Sequence, residues 1–360
     1  MLFDALTKKI QSGSELSTQE IAGICELLVE DSPEGSAEFV AKMDFLRALS
    51  LRGETANELG AFVQNFLALA RQPQWSMAAG SKILEGYKSI DVCGTGGDGL
   101  HLYNVSTTAV FVLAACGIKV LKHGNRSITS QSGGADVLSQ LGFTPELDED
   151  FWSRCLDEQG WAFLLAPQYH PAFKAIMPVR QALAAQGQKT LFNLIGPLLN
   201  PASPQYQLLG VSDASIIPKF GSILQQLGRK NAWVICGHSE QGKPTDEFSN
   251  MGDTLYVNLK EGINNIQTIK PQYWQSWGVK QAQLSQVVGG TPEENAQLIQ
   301  DLLSGKEQGA KRELLLLNVA AALVACEEVE TLEQGYATAA KAIDSGAAYK
   351  NLKSSQQLLP

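Results

Sequence analysis

The first 70 residues carry apolar side chains at helical spacing, so the pattern predicts helices up to about Ala70. One apolar stripe follows Ser17-Thr18-Gln19-Glu20, whose hydroxyl and closely following acid are typical of a helix start, and another follows Thr55. These stripes exceed what a few short helices can bury among themselves, so some should pack against other parts of the chain or a second subunit. Their residues are Ile21, Cys25, Leu27, Leu28, Phe45, Leu46, Leu49, Leu59, Phe62, Phe66 and Leu67.

From residue 90 onward the pattern changes to strand, glycine-rich loop and helix. Ile90 to Cys93 is a short apolar run that breaks at Gly94-Thr95-Gly96-Gly97-Asp98-Gly99, and a helix-like run then extends from Ser106 to Cys116. Its segment Ala109 to Cys116 is almost wholly apolar, so this helix should be buried.

The same unit occurs again directly afterwards. Ile118 to Leu121 is strand-like, Lys122-His123-Gly124-Asn125-Arg126-Ser127 is the predicted loop, and Gly134 to Leu141 is the predicted helix. Helical crossovers return a chain to the same end of a parallel sheet, so both loops should open at the carboxyl ends of their strands.

Later runs continue the alternation of strands and helices. Trp161 to Leu165, Tyr206 to Val211 and Ala232 to Cys236 are predicted strands. Leu314 to Ala325 is predicted to be a buried helix, and Leu332 to Ile343 an amphipathic one.

The two loops together predict an anion site. Unpaired backbone N–H groups and the positive ends of helix dipoles attract anions, and glycines let the backbone approach closely. Lys122, His123 and Arg126 add cationic side chains to a chain whose formal net charge is -9. This contrast favours a compact phosphorylated ligand over a nucleic-acid backbone, which usually needs a broad basic surface.

Other interpretations of the glycines fit less well. Gly94, Gly96 and Gly99 satisfy G-x-G-x-x-G, but the helix is delayed to about Ser106 and the second strand lacks the acid that a dinucleotide fold needs. No Gly-Lys-Ser/Thr closes the loop, which argues against a Walker A motif. A plain surface turn would explain one glycine cluster but not the second loop.

Length and composition set the remaining bounds. At roughly 150 residues per domain, 360 residues predict two domains, and 44% hydrophobic with 18% charged residues excludes a disordered chain. Met1 to Ser12 lacks a secretory apolar region, and Leu314 to Cys326 is shorter than the ~20 residues that span a bilayer. We therefore expect a soluble, unexported protein. The six cysteines contain no C-x-x-C pair, which suggests reduced thiols rather than zinc ligands or disulfides.

At this point the sequence resembles the anthranilate phosphoribosyltransferase family of tryptophan biosynthesis. The signature blocks are Gly94-Thr95-Gly96-Gly97-Asp98-Gly99, Asn104-Val105-Ser106-Thr107 and Lys122-His123-Gly124-Asn125-Arg126-Ser127. The resemblance spans nearly the whole chain. Further blocks in the family's order are Leu51-Arg52-Gly53-Glu54-Thr55, Pro178-Val179-Arg180, Phe192-Asn193-Leu194-Ile195-Gly196-Pro197-Leu198, Asn200-Pro201-Ala202, Asp246-Glu247, Gly290-Thr291-Pro292-Glu293-Glu294-Asn295 and Leu317-Asn318-Val319-Ala320.

The resemblance implies an α/β fold with a small all-helical domain. The larger domain should hold a mostly parallel central sheet flanked by helices, as in nucleoside phosphorylases and phosphoribosyltransferases. Residues 1–72 should form the helical domain, with helices from about 166–190 packing on it, and residues 73–360 the donor-binding α/β domain. Arg71 to Ser89, with Pro73 and Gly80, is the predicted linker. The helical domain implies a homodimer contact.

The resemblance also implies residues for the donor, 5-phosphoribosyl 1-pyrophosphate (PRPP), and for Mg²⁺. Ser106, Asp246 and Glu247 match magnesium ligands. Leu102 stands where the family usually has a threonine that contacts PRPP, so the hydroxyl of that contact is lost. The implied PRPP residues are Gly94, Gly97, Asp98, Asn104, Val105, Ser106, Thr107, Lys122, His123, Gly124, Asn125, Arg126, Ser127, Ser130 and Gly134. Taken alone, Asn104 and Ser106 would be helix caps.

The acceptor site is implied in the same way. Taken alone, Arg180 would be a solvated helix arginine and His170 a structural histidine, whereas the resemblance makes Arg180 the partner of the anthranilate carboxylate. Tyr169 replaces a frequent histidine, and Leu183 to Lys189 is longer than in the family. The implied acceptor residues are Gly94, His123, Asn125, His170 and Arg180.

These matches imply transfer of a phosphoribosyl group to anthranilate by a cytoplasmic enzyme. Positioning and charge neutralisation should dominate catalysis, and no residue is assigned as general base. Two alternatives stay open. One is a same-fold enzyme for a substituted aminobenzoate or a pyrimidine nucleoside; the other is a non-catalytic nucleic-acid-binding paralogue, which the acidic balance disfavours.

Overall fold

The computed structural model describes residues 2–77, 83–126, 132–144 and 146–360. The predicted PRPP residues Ser127 and Ser130, and Gly80 of the predicted linker, lie outside these ranges. The helices are α1 Leu2–Gln11, α2 Thr18–Leu28, α3 Ala37–Arg52, α4 Ala56–Ala68, α5 Gln74–Met77, α6 Val105–Ala115, α7 Gly134–Gln140, α8 Glu149–Gln159, α9 Ala166–Tyr169, α10 Phe173–Ala185, α11 Ile217–Gln226, α12 Pro271–Gln275, α13 Pro292–Leu303, α14 Ala310–Ala325, α15 Leu332–Asp344 and α16 Ala347–Gln357.

The strands form one mostly parallel sheet. They are β1 Ser89–Gly94, β2 Lys119–Gly124, β3 Trp161–Leu165, β4 Tyr206–Gly210, β5 Asn231–His238, β6 Pro244–Thr245, β7 Thr254–Asn258 and β8 Gln267–Ile269. Their order is β3-β2-β1-β4-β5-β7-β8, with β6 on β5. The first five strands in this order pair in parallel, whereas β6, β7 and β8 pair antiparallel. The predicted mostly parallel sheet flanked by helices is confirmed.

The local signals for the N-terminal helices are confirmed. Ser17 and Thr55 each cap a helix, and each is joined by a glutamate three residues later in a reciprocal capping box. The helices share a buried core with α10 and with one face of the sheet, through residues such as Leu209 and Val234. Part of their apolar surface therefore packs on the rest of the chain, as expected. The division between residues 72 and 73 stays a prediction.

The second strand is longer than the sequence pattern indicates. Lys122, His123 and Gly124 belong to β2 and pair with Phe163, Leu164 and Leu165, so the prediction that they begin the loop was wrong. The strand can continue because the Lys122 ammonium finds buried hydrogen-bond partners, which periodicity cannot reveal. The loop begins at residue 125.

The second large core covers the other face of the sheet. Helix α14 is almost wholly buried there and packs against α6 and α15, which confirms its predicted burial. Within the described ranges, no helix combines the length and apolar character needed to cross a membrane. The six cysteines are free thiols.

Candidate active site

The glycine-rich loop after β1 and the acidic loop after β6 meet at the carboxyl end of the parallel strands. A Cβ at Gly94 would lie 2.1 Å from Asp246 Oδ2, and one at Gly210 would lie 1.6 Å from the Asp246 carbonyl oxygen. The Gly96 N–H donates to Asp246 Oδ2 at 2.7 Å. Only glycine at these two positions lets the acidic loop approach the ends of β1 and β4 this closely.

The loop itself needs glycine and is tied down by Asp98. Gly96, Gly97 and Gly99 have φ values of +67°, +78° and +67°, a region that side chains disfavour. The Asp98 carboxylate accepts from the Leu100 N–H at 3.1 Å and from the Thr245 hydroxyl at 2.9 Å. Asp98 therefore joins the glycine-rich loop to the strand that precedes the acidic loop.

Asp246 and Glu247 form a destabilised acidic pair. Withdrawal from water, reinforced by the neighbouring Asp98, raises the pKa of Asp246 to about 6. Burial and the Asp246 charge raise the pKa of Glu247 well above its usual range, although a hydrogen bond from the Ser106 backbone opposes this shift. Adjacent carboxylates of this kind are relieved by a cation.

The predicted magnesium ligands lie around one small buried cavity, which Ser106, Asp246 and Glu247 line together. In the described part of the chain, no group of three or more histidine, cysteine or acidic side chains is placed to hold a metal. A cation here would therefore need the Ser106 hydroxyl and oxygens of its own ligand. An oxygen-only, incomplete set suits Mg²⁺, which usually keeps water or phosphate in its coordination sphere.

Lys122 is buried in β2, near enough to the acidic pair for their charges to interact, rather than in an exposed loop. Its side chain is buried, and Nζ donates to the Val92 carbonyl at 2.8 Å and to Ser106 Oγ at 3.1 Å. Burial lowers the pKa of Lys122, while the charges of Asp91, Glu247 and Asp246 raise it. The lysine thus places its cation directly beside the Ser106 hydroxyl.

The start of α6 is held from outside the helix. Asn104 occupies the cap position but makes no side-chain capping bond, so the simple capping interpretation was wrong for this residue. Its amide instead donates to the Ser132 carbonyl at 3.0 Å and accepts from the Ser132 hydroxyl at 3.1 Å. The side chains of Val105 and Thr107 are buried.

Three of the five residues predicted to contact the acceptor, His123, His170 and Arg180, lie along an aromatic wall that also contains Phe173 and Phe192. The rings of His123 and His170 meet edge to face at 5.4 Å, and His170 stacks on Phe173 at 5.2 Å. The Arg180 guanidinium lies 5.1 Å from the centre of the Phe192 ring. This wall is suited to an aromatic ligand that also carries a negative charge.

The pKa shifts of the two histidines fit an aromatic ligand that carries a negative charge. Burial, with His170 nearby, lowers the pKa of His123 to about 3, and burial also lowers the pKa of His170. His170 Nε2 lies 2.8 Å from the Leu199 carbonyl oxygen. Arg180 contacts Met177 Sδ at 3.5 Å and makes no ion pair with any residue that the structure describes. The lowered pKa values favour the neutral form of both imidazoles, whereas Arg180 brings a positive charge to the same aromatic wall.

Three further predicted PRPP residues, Asn125, Arg126 and Gly134, lie directly after β2 and at the start of α7. Arg126 is half exposed and binds Glu146 at 2.6 Å and Asp136 at 3.4 Å. Asn125 is exposed, and its side chain accepts from the Arg126 N–H at 2.8 Å. A Cβ at Gly134 would lie 3.0 Å from Thr107 Oγ1, so this glycine allows α7 to approach α6.

Residue-level reasoning missed Asp91 as a supporting residue. Its carboxylate is fully buried and accepts from the His123 N–H at 3.4 Å and from Asn200 Nδ2 at 2.9 Å. Asn200 also donates to the Leu121 carbonyl at 2.7 Å. The available signal was an acid in the middle of the apolar run Ile90 to Cys93.

Asn318 belongs to the family block Leu317-Asn318-Val319-Ala320, but no role was assigned to it from the sequence. It lies on the buried helix α14, and its amide both accepts from the Phe248 N–H at 2.8 Å and donates to the Phe248 carbonyl at 2.9 Å. This double hydrogen bond fixes the chain next to Glu247. Its signal was a single amide interrupting an otherwise apolar helix.

Asp91 predicts a specific pH dependence. Burial raises the pKa of Asp91 to about 6, above its usual 3.8, so the folded state binds the proton more tightly than the unfolded state. The free energy of unfolding should fall by about 3 kcal/mol from this group as pH rises from ~4 to ~6, and stay level above. Urea unfolding at a series of pH values should show this fall in the free energy of unfolding for the wild type but not for Asp91→Asn. Parallel pH profiles would contradict the shift.

Comparison with known proteins shows the family of this chain. The chain matches the glycosyl transferase family, a/b domain, over residues 86–349. The anthranilate phosphoribosyltransferase of Anaeromyxobacter sp. (strain K) is 38% identical over 345 residues, covering 96% of this chain and 95% of that relative. The enzyme of the same name from Symbiobacterium thermophilum is 37% identical over 349 residues, covering 97% and 95%.

Solved structures agree as well. The anthranilate phosphoribosyltransferase of Thermus thermophilus superposes with a TM-score of 0.83 at 33% identity, covering 98% of both chains. The Saccharomyces cerevisiae protein of that name, in complex with PRPP and Mg, gives a TM-score of 0.83 at 25% identity, covering 99% of this chain and 98% of that one.

Proposed function

Because the chain belongs to the anthranilate phosphoribosyltransferase family, we propose that it transfers the phosphoribosyl group of PRPP to the amino nitrogen of anthranilate. One observation supports this proposal: the buried lysine beside Ser106 and the aromatic wall with its arginine both adjoin the carboxyl end of β2. We assign the Lys122 side to the donor and the His123 side to the acceptor. The motif-based resemblance agrees with the full-length relatives.

The donor half would bind the pyrophosphate. The glycine-rich loop and the start of α6 offer backbone N–H groups, and Lys122 offers a buried cation beside Ser106. Asp246, Glu247 and the Ser106 hydroxyl would hold Mg²⁺, which neutralises charge on the leaving group when bound. The Saccharomyces cerevisiae relative in complex with PRPP and Mg supports this assignment.

The acceptor half would orient a weak aromatic amine. Its nitrogen forms a bond to the ribose carbon while the bond from that carbon to the pyrophosphate oxygen breaks, and the amine proton is lost late. The neutral rings of His123 and His170 would flank the ring of anthranilate, and Arg180 would pair with its carboxylate. Alignment is then the main contribution, and the general base stays unassigned.

Assembly and context are part of the same proposal. The exposed apolar side chains Leu2, Val40 and Leu51 lie on α1 and α3, which supports a homodimer contact through the N-terminal helices. We place the reaction in tryptophan biosynthesis and the protein in the cytoplasm.

The direct test follows anthranilate fluorescence with purified protein, PRPP and Mg²⁺. Loss of fluorescence that requires both PRPP and Mg²⁺ is the expected result. If the protein consumed PRPP with other aminobenzoates but not with anthranilate, the phosphoribosyltransferase activity would stand and anthranilate would be rejected as the acceptor. Phosphorolysis of a pyrimidine nucleoside, without any use of PRPP, would replace the proposal with the phosphorylase.

Arg180 gives a prediction specific to the acceptor. A charge-assisted hydrogen bond contributes about 1.5–3 kcal/mol, so Arg180→Ala should lower kcat/KM for anthranilate roughly ten- to a hundredfold. Arg180→Lys should recover only part, because an ammonium lacks the planar fork. Steady-state kinetics with each substrate varied separately would measure this. An equal loss for PRPP and anthranilate would place Arg180 elsewhere in the mechanism.

A further inference from the structure

The segment before α13 pairs with the chain that leads to Asn104. The Gly289 N–H donates to the His101 carbonyl at 2.8 Å, and Leu102 and Val288 form an antiparallel bridge. A Cβ at Gly289 would lie 2.8 Å from Tyr103 Cα, so only glycine permits this approach. The link between the glycine-rich loop and α6 is therefore braced by a segment far along the chain.

Asn295 extends this brace to a side chain of the donor site. It is 3% exposed; its Oδ1 accepts from the Gly290 N–H at 2.9 Å, and its Nδ2 donates to the Gly290 carbonyl at 3.2 Å. The same Nδ2 donates to Asn104 Oδ1 at 3.0 Å. A backbone N–H can only donate and a carbonyl can only accept, so the Gly290 backbone fixes which way the Asn295 amide faces.

The orientation passes from one amide to the next. Because Asn295 presents N–H groups to Asn104, Asn104 must answer with its oxygen, and the Ser132 hydroxyl donates to the same oxygen at 3.1 Å. The Asn104 amide nitrogen is thereby turned to the other side, where it donates to the Ser132 carbonyl at 3.0 Å. Reversal of either amide would set two like atoms against each other.

We propose that Asn295 is a positioning residue for PRPP, which holds Asn104 so that the amide hydrogen not donated to Ser132, rather than the amide oxygen, is available to the phosphorylated donor. An N–H group binds an anion, whereas an amide oxygen repels one. This inference rests on the proposed function, because it assumes that Asn104 contacts PRPP. It assigns a role to the last residue of the block Gly290-Thr291-Pro292-Glu293-Glu294-Asn295.

The alternative, a purely structural role, is separable because α13 begins without help from Asn295. Thr291 caps the helix by accepting from the Glu294 N–H, and Glu294 accepts from the Thr291 N–H in return. Asn295→Asp keeps an acceptor for the Gly290 N–H but removes both donated hydrogen bonds. It therefore presents an acceptor oxygen instead of an N–H donor to Asn104, while the Thr291 cap stays in place.

The experiment measures PRPP binding by calorimetry with Mg²⁺ and without acceptor, together with KM for both substrates. Asn295→Asp should weaken PRPP binding tenfold or more, with KM for anthranilate changed less than twofold. Asn295→Ala removes the constraint without reversing it, so it should weaken PRPP binding about threefold. If the aspartate variant does not fold, the alanine variant carries the same test.

The decisive arm repeats the substitutions in an Asn104→Ala background, where each should change PRPP binding less than twofold. A full effect in that background would overturn the positioning role, because Asn295 would then act without Asn104. The matched control is Asn231→Asp, since Asn231 is equally buried and donates to the Ala325 carbonyl at 3.2 Å at the opposite end of the strands. We expect unchanged PRPP binding there.

The outcomes also separate the two proposals. If Asn104→Ala leaves PRPP binding unchanged, or the wild type binds no PRPP, the donor assignment of the proposed function fails. If Asn104→Ala weakens binding while both Asn295 variants match the wild type, only the positioning role of Asn295 is overturned.

Discussion

Lys122→Met should lower kcat/KM for PRPP by about a hundredfold or more, whichever amine is offered. Removing one preorganised donor from an active site costs about 10²–10³ in rate, and Lys122 is a buried donor beside Ser106. Methionine keeps most of the length and apolar stem but removes the charge. Asp91, Asp246 and Glu247 would then lose the cation that opposes their raised pKa values.

The same strand supplies a matched control for Lys122. Lys119 is also buried and also bound to carbonyls, with Nζ 2.6 Å from the Leu156 oxygen and 2.9 Å from the Asp157 oxygen. It lies at the opposite end of β2, so Lys119→Met should destabilise the fold while leaving the kinetics with PRPP unchanged. Kinetics at limiting PRPP, combined with thermal unfolding, distinguish the two variants. Equal losses of kcat/KM for PRPP in both variants would show that removing any buried lysine of β2 is sufficient, and that the charge beside Ser106 has no specific role.

Asp246→Asn with Glu247→Gln should abolish the response to magnesium. Hard oxygen ligands set the affinity for Mg²⁺, and losing the charge neutralisation it supplies should reduce kcat/KM for PRPP about a hundred- to a thousandfold. A second readout is independent of activity. Because the pKa values of both carboxyls are raised in the folded state, the two groups lower the free energy of unfolding as pH rises above the ordinary carboxyl range. At pH 7 without metal, the double variant should therefore be at least as stable as the wild type.

A surface pair of acids provides the control for this double substitution. Glu327 and Glu328 are also adjacent, and they pair with Lys260 and Lys88 on the surface. Glu327→Gln with Glu328→Gln makes the same chemical change and should leave the magnesium titration unaltered. An unchanged magnesium response in the Asp246 and Glu247 variant would reject those two residues as the metal ligands.

Much of the fold follows from interactions between residues close in the chain. The capping boxes at Ser17 and Thr55 need partners only three residues away, so they are legible in the sequence. The run Trp161 to Leu165 coincides with β3, because a buried parallel strand is a continuous apolar run between polar turns. Both strand and helix units between residues 90 and 141 were found for the same reason.

The features of the candidate site also divide into local motifs and contacts between distant residues. The sequence by itself determined the glycines, the acids and the cations available for a phosphate site, since these are local motifs with a known chemistry. Only the tertiary structure decided that Lys122 contacts Ser106, that His123 meets His170, and that Asn104 is oriented from Asn295. These partners lie far apart in the chain, and Asn104 and Asn295 are separated by 191 residues. Contacts over such distances depend on strand order and on burial of polar groups, neither of which leaves a periodic trace along the chain.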